Sequence, residues 1–190
     1  MKLLVVNGSP RRGGNSATLA LAVAEGAAAA GATRLPTVHL QALSFRGCLN
    51  CGGCEVSGVC AVRDGLDPIY ALLREADLWV FATPIYFDTV SGQFKLFYDR
   101  LFCFTKRKLP GVRSAVLAIA YEDDRNEGYV RNMKPLLNYL GWFGDFRERR
   151  LIEAWGMAKP GDIRKRPDLL DQAASLGREL AAPPDTRQMP

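Results

Sequence analysis

Four apolar runs punctuate the chain: Leu3 to Val6, Leu78 to Ala82, Ala115 to Ala120 and a weaker one at Thr37 to Leu40. The first three do not alternate with polar residues, which marks strands buried on both faces and hence a parallel sheet. Stretches of helical period lie between them. The first begins at Asn15 or Ser16, either of them a capping residue, and runs to about Ala30, with Leu19, Val23 and Ala27 on one face and Gly31 as its stop. Asp67 and Pro68 make a cap and first-turn pair for a second helix, carried by Ile69, Leu72, Leu73 and Ala76. Ser91 caps a third, whose Phe94, Phe97, Tyr98 and Leu101 form one buried stripe. Glu127 to Leu140 is a fourth, kinked by Pro135. A fifth strand falls within Phe143 to Ala154, and Asp168 to Leu180 reads as a closing helix.

Strand and helix alternating about five times describe an α/β fold: an open, doubly wound, five-stranded parallel sheet flanked by helices. A chain of 190 residues, 48% of them hydrophobic, buries roughly 70% of its unfolded surface, enough for one core and marginal for two. One domain is therefore expected over residues 1–182, with a flexible, proline-rich tail over 183–190. In such sheets ligands bind beyond the carboxyl ends of the strands. Three connections become candidates: Asn7 to Ser16, Thr83 to Ser91 and Ala120 to Gly128.

Charge narrows the partners. The net charge of +5 comes from small scattered groups, Lys106 to Lys108, Arg147 to Arg150 and Arg164 to Arg166, which do not build the long basic face that nucleic acid requires. No apolar run reaches the length of a membrane span and no signal-peptide pattern opens the chain, so a cytoplasmic protein without membrane contact is expected.

The first connection, Asn7-Gly8-Ser9-Pro10-Arg11-Arg12-Gly13-Gly14-Asn15-Ser16-Ala17-Thr18, has anion-binding chemistry. Its glycines let the backbone approach a ligand closely, Ser9, Asn15, Ser16 and Thr18 supply hydroxyl and amide groups, and the free N–H groups of the following helix face the same point. Arg11 or Arg12 adds a charge-assisted contact, with Arg11 closer to the Ser-Pro turn. The loop matches neither the nucleoside-triphosphatase motif nor the Gly-x-Gly-x-x-Gly spacing; any strand-to-helix connection also uses Gly, Ser and Asn.

Cys48, Cys51, Cys54 and Cys60 form a Cys-x2-Cys-x2-Cys-x5-Cys loop, inserted over residues 46–62 after the second strand. Such spacing turns sulfurs toward one centre, as an iron–sulfur cluster or a zinc ion requires, and the lack of histidine there favours the cluster. Free or redox-active thiols are the alternative, and disulfides so close in sequence are strained. Cys103, in the third helix, reads as a small core residue.

Together these stretches resemble the flavodoxin-like family of NAD(P)H-dependent FMN reductases, and within it the iron–sulfur flavoproteins. The Asn7 to Thr18 stretch is similar to the family's Gly-Ser-Pro-Arg loop around the FMN phosphate. Thr83-Pro84-Ile85-Tyr86-Phe87, followed by Ser91 to Lys95 and Tyr98-Asp99-Arg100, resembles the stretch that runs beside the flavin ring. The resemblance is close over roughly the first 105 residues. It implies FMN held by Ser9, Arg11, Asn15, Ser16, Ala17, Thr83, Pro84, Ile85, Tyr86 and Phe87, a 4Fe-4S cluster on Cys48, Cys51, Cys54 and Cys60, and NAD(P)H as transient electron donor. The expected function is an FMN-dependent oxidoreductase that serves a small acceptor (a quinone, free flavin or oxygen), or a ferredoxin-like protein through the cluster. No catalytic side chain is expected, because the flavin carries the chemistry and His39, the one histidine, lies in a strand. A non-enzymatic electron carrier and a thiol-based sensor are the rival readings. The resemblance further implies a homodimer or homotetramer. One departure stands out: Tyr121-Glu122-Asp123-Asp124-Arg125-Asn126 replaces a usually glycine-rich third loop, and its acidic groups either near the ring or cap the fourth helix.

Overall fold

The computed structural model describes residues 1–182; the expected tail at 183–190 lies outside them. Strand β1 (Lys2–Asn7) leads into helix α1 (Asn15–Ala29), followed by the two-residue strands β2 (Thr33–Arg34) and β3 (Val38–His39). After the cysteine segment come α2 (Asp67–Glu75), β4 (Leu78–Tyr86), β5 (Thr89–Val90), α3 (Gly92–Arg100) and the single turn α4 (Cys103–Lys106). The long strand β6 (Leu109–Ala120), α5 (Glu127–Tyr139), β7 (Gly144–Ala154) and α6 (Pro167–Ala181) complete the order.

The sheet runs β2-β1-β4-β6-β7. β2 pairs with the start of β1 and β3 with its end, both parallel, so the weak second run is one strand interrupted around Pro36. With the two pieces counted as one, the order is the doubly wound 2-1-3-4-5 arrangement, with five parallel strands as the apolar runs predict. Alternate residues feed two cores. Leu4, Val6, Trp79, Phe81, Leu117 and Ile119 face an aromatic layer from α2, α3 and α5. Leu3, Val5, Val80, Ala82, Val116 and Ala118 face α1 and α6. On that second side the helices nearly touch: a Cβ on Gly26 would stand 1.9 Å from the Ala174 carbonyl oxygen, and one on Gly177 1.9 Å from that of Val23.

Several local readings change. Neither Asn15 nor Ser16 caps α1; Gly14 stands at the cap, and Asn15 instead accepts at Oδ1 from the Gly161 and Ile163 amides while its Nδ2 donates to the Lys159 carbonyl. A distant loop has claimed its side chain. Asp67 is the first helical residue of α2 and not its cap. Thr83 to Ser91 is no loop: β4 continues to Tyr86 and turns back as the antiparallel β5, with Phe87 and Asp88 at φ 49° and 62°, the geometry of a two-residue hairpin turn. Cys103 begins α4 and does not belong to α3. Ser91 does cap α3, accepting from the Phe94 amide, and Pro135 sits inside α5 as expected.

Candidate functional site

The β1–α1 loop is built around Asn7, which is buried at the strand end. Its Oδ1 accepts from the Ser9 amide at 2.8 Å, and Ser9 Oγ accepts from the Arg11 amide at 3.1 Å. Both are short Asx- and Ser-type turns that curl the loop without a helix or a sheet. Asn7 Nδ2 lies 3.2 Å from His39 Nδ1; an amide donor facing that nitrogen puts the ring proton on Nε2. Burial and the neighbouring Arg12 together hold the imidazole below its usual range.

Two glycines leave room for close approach. A Cβ on Gly14 would fall 2.7 Å from Ser9 Oγ, and one on Gly8 2.7 Å from the Phe94 Cβ. Gly8 is further pinned from β4 and α3: its amide donates to the Ala82 carbonyl at 2.7 Å and its carbonyl accepts from Ser91 Oγ at 2.6 Å. Ser16 Oγ is buried and has no hydrogen-bond partner among the described residues. Such a hydroxyl at the start of a helix, beside first-turn amides, suits a ligand oxygen.

A cleft of about 260 Å³ lies where the loop meets the ends of β4, β6 and β7, lined by Ser9, Arg11, Asn15, Ser16, Pro84, Ile85 and Tyr86, seven of the ten expected FMN residues. The other three differ. Ala17 is buried, so only its amide is available; Thr83 is buried and its hydroxyl is engaged by the Ser91 amide and the Pro84 carbonyl. Phe87 is fully exposed at the hairpin tip and lines no part of the cleft. Ala120, Tyr121 and Glu122, from the third candidate connection but not among the expected FMN contacts, complete the walls with Met157 and Ala158, which no sequence signal singled out. Met157 and Ala158 follow β7, and the rule that ligands sit beyond strand ends applies to that loop as it does to the other three.

The acidic third loop divides. Glu122 reaches the cleft. Asp123 accepts from the Tyr129 hydroxyl, Asn126 caps α5 through the Gly128 amide, and Arg125 pairs with the buried Glu153 at 2.8 Å. Tyr121 donates to Glu153 Oε2 at 2.6 Å, and burial with this bond pushes its hydroxyl up to about 12. A larger groove, about 730 Å³, runs along β7 between α5 and α6. It shares no residue with the phosphate-type loop and lies against an unpaired sheet edge, so the smaller cleft is the better ligand site.

The cysteine segment is fastened from beneath by Arg100, whose side chain is fully buried at the end of α3. Its guanidinium donates to the carbonyls of Arg46 and Val62 and to both oxygens of Asp64. Burial works to raise the Asp64 carboxyl, but Arg100 and the Leu66 and Arg46 amides hold it below the usual range. Cys48 and Cys51 are exposed, Cys54 and Cys60 half-buried. Four thiols in thirteen residues suit a soft metal or an iron–sulfur cluster in kind and number; among the described residues, no three such side chains are yet gathered around one point. Cys103 is buried in the aromatic core, where desolvation pushes its thiol up to about 12, as for an inert packing residue. No described helix is long and apolar enough to cross a membrane.

Comparison with known proteins agrees with this geometry. The profile of the NADPH-dependent FMN reductase family matches residues 1–143. An iron–sulfur flavoprotein of Archaeoglobus fulgidus is 32% identical over 95% of this chain and 79% of its own, and one from Methanocaldococcus jannaschii is 28% identical over 95% and 96%. Among solved structures, an NAD(P)H:quinone oxidoreductase from Methanothermobacter marburgensis superposes with a TM-score of 0.67 at 21% identity, covering 95% of this chain and 96% of that one. The family match over three quarters of the sequence, the relatives and the fold agree: this chain belongs to the NADPH-dependent FMN reductase family, in its iron–sulfur flavoprotein branch, and is an oxidoreductase.

Proposed function

We propose that the chain binds FMN in the 260 Å³ cleft and passes electrons from NAD(P)H, or from a reduced protein, to a small acceptor such as a quinone, free flavin or oxygen. The observation that carries the reading is the buried, unpartnered Ser16 hydroxyl beside the Gly14 cradle. Ser9, Arg11, Asn15, Ser16 and the first-turn amides of α1 would hold the phosphate, the last of these through the positive end of the helix dipole. Pro84, Ile85 and Tyr86 supply backbone groups and an apolar wall for the ring. Bound there, FMN would supply the hydride-accepting, two-electron redox chemistry. The protein's part is to bind, orient and exclude. The Tyr121 hydroxyl is spoken for by Glu153, and the chain needs no acid, base or nucleophile of its own.

Cys48, Cys51, Cys54 and Cys60 would hold a 4Fe-4S cluster, whose chemistry is single-electron transfer, here toward a ferredoxin-like partner. The family resemblance further suggests a homodimer or homotetramer, in which an exposed side chain such as Phe87 would be covered. The test is an absorption spectrum of anaerobically purified protein with iron and sulfide analysis, then mixing with NADH and NADPH. Flavin and cluster bands with NAD(P)H oxidation are expected. No flavin binding after reconstitution with FMN overturns the reading; missing iron removes the cluster alone; intact cofactors without NAD(P)H oxidation turn the enzyme into a carrier.

A further inference from the structure

Cys60 differs from the other three cysteines of its segment. Arg100 Nε donates to its sulfur at 3.1 Å, and the same N–H is shared with the Tyr70 oxygen, also at 3.1 Å. The donor on this sulfur therefore comes from a fully buried cation, and a buried phenol oxygen accepts from the same N–H. An arrangement of that kind stabilises a sulfur that accepts, as a metal-bound sulfur does, over one that donates. The remaining four N–H groups of Arg100 are all spent on the segment's frame, on Arg46, Val62 and Asp64. None is left for solvent, so the guanidinium is committed wholly to this segment and to Tyr70.

We propose that Arg100 and Tyr70 are the positioning pair of the cysteine segment: Arg100 anchors its two ends and polarises the Cys60 sulfur, and Tyr70 shares the Arg100 Nε–H that does so, leaving Cys48 and Cys51 to close on a metal centre from the exposed side. The polarising part rests on the cluster reading above; the anchoring part does not. Hydrogen bonds to cluster sulfurs spread the extra negative charge of the reduced form and so raise the reduction potential.

The experiment uses FMN-loaded protein and three variants: Arg100→Lys, which keeps the charge but lacks the planar fork; Tyr70→Phe, which removes only the hydroxyl; and Asp64→Asn, which keeps an acceptor oxygen should Arg100→Lys fold poorly. In the metal-free form, trypsin cleavage after the exposed Arg46 and Arg63 should accelerate about tenfold in Arg100→Lys, and measurably in Asp64→Asn, with FMN content unchanged. After anaerobic reconstitution with ferrous iron and sulfide, Tyr70→Phe should keep its iron and its fold yet titrate at a more positive potential than wild type, because the Arg100 Nε–H is no longer shared with the Tyr70 oxygen. Cleavage at the wild-type rate in both anchoring variants overturns the anchoring, and an unshifted or more negative potential in Tyr70→Phe overturns the polarisation. Wild-type protein that takes up no iron refutes both the polarisation and the cluster reading, and the metal-free cleavage then decides the anchoring alone.

Discussion

Ser16→Ala should strengthen the empty protein and weaken the loaded one. Among the described residues the buried Ser16 oxygen has no partner, and an unsatisfied hydroxyl costs about 1–3 kcal/mol of desolvation. Alanine removes the orphan and adds about 0.5 kcal/mol of helix propensity, against the small loss of packing from one oxygen. The expected gain is about 1–2 kcal/mol, which for a chain of this size raises the apoprotein melting temperature by roughly 2–8 °C. With FMN bound, the same oxygen would donate to a phosphate, and a hydrogen bond to a charged group contributes about 1.5–3 kcal/mol. Its loss weakens FMN binding by roughly one to two orders of magnitude. Riboflavin, which has the ring but no phosphate, is the control: its affinity should change little, so the preference for FMN over riboflavin collapses. The assays are thermal denaturation of apoprotein and quenching of flavin fluorescence on titration with each ligand. A variant apoprotein less stable than wild type, or an FMN-to-riboflavin preference left intact, refutes the assignment of Ser16 to the phosphate.

Other outcomes follow from the same structure. His39→Gln should leave flavin reduction by NAD(P)H within about twofold of wild type, since no proton step is assigned to the ring; a well-folded but inactive variant would count against that. The His39 imidazole is held below its unfolded value of about 6.5 by burial and Arg12. The unfolded chain therefore takes up this proton first as pH falls, and stability that is complete above about pH 6.5 declines toward the lower folded value. Urea midpoints at pH 7.5 and 5.5 should separate less in His39→Gln than in wild type, and an equal separation excludes the link. Gly26→Ala and Gly177→Ala each drive a methyl into an opposing carbonyl at 1.9 Å, so each should lower unfolding free energy by about 3 kcal/mol in urea titrations. Phe87→Asp alters a fully exposed side chain: the isolated chain should keep its melting temperature, while sedimentation of a dimer or tetramer should shift toward smaller species. An unaltered sedimentation profile removes Phe87 from any subunit contact.

What the linear sequence reveals, and what it hides, follows from how far each interaction reaches along the chain. The apolar runs specify the sheet because burial on both faces is a property of consecutive residues, and the Ser91 cap is legible because it acts within one turn. Asn15 is misread as a cap because its partners lie some 145 residues away in the loop after β7, and no local rule ranks that loop above a free amide. The Thr83 to Ser91 stretch looks like a loop because nothing in Phe87 announces a positive φ; only Asp88 belongs to a residue type that tolerates it. In the cysteine segment the spacing is visible at once. Its dependence on Tyr70 and Arg100 is not, since both are hidden among ordinary helical residues. Seven of the expected flavin contacts gather in one cleft because they flank strand ends that the topology aligns. Tyr121 lies in a connection that the sheet rule already marks as a candidate, whereas Met157 follows a strand whose downstream loop carries no recognisable motif.

Helix α3 begins at a serine that grips the Gly8 carbonyl and ends at an arginine that grips the cysteine segment. It is thus a ruler: nine residues at about 1.5 Å each span about 13 Å, and that length is set by helical geometry, independent of any loop. Inserting one residue would lengthen the rod only slightly but rotate its far end by about 100°, swinging the guanidinium away from Cys60. The gap between the β1–α1 loop and the sulfurs is therefore tolerant of substitution along the rod and intolerant of a change in the number of residues, a constraint on heredity that acts on length where others act on identity.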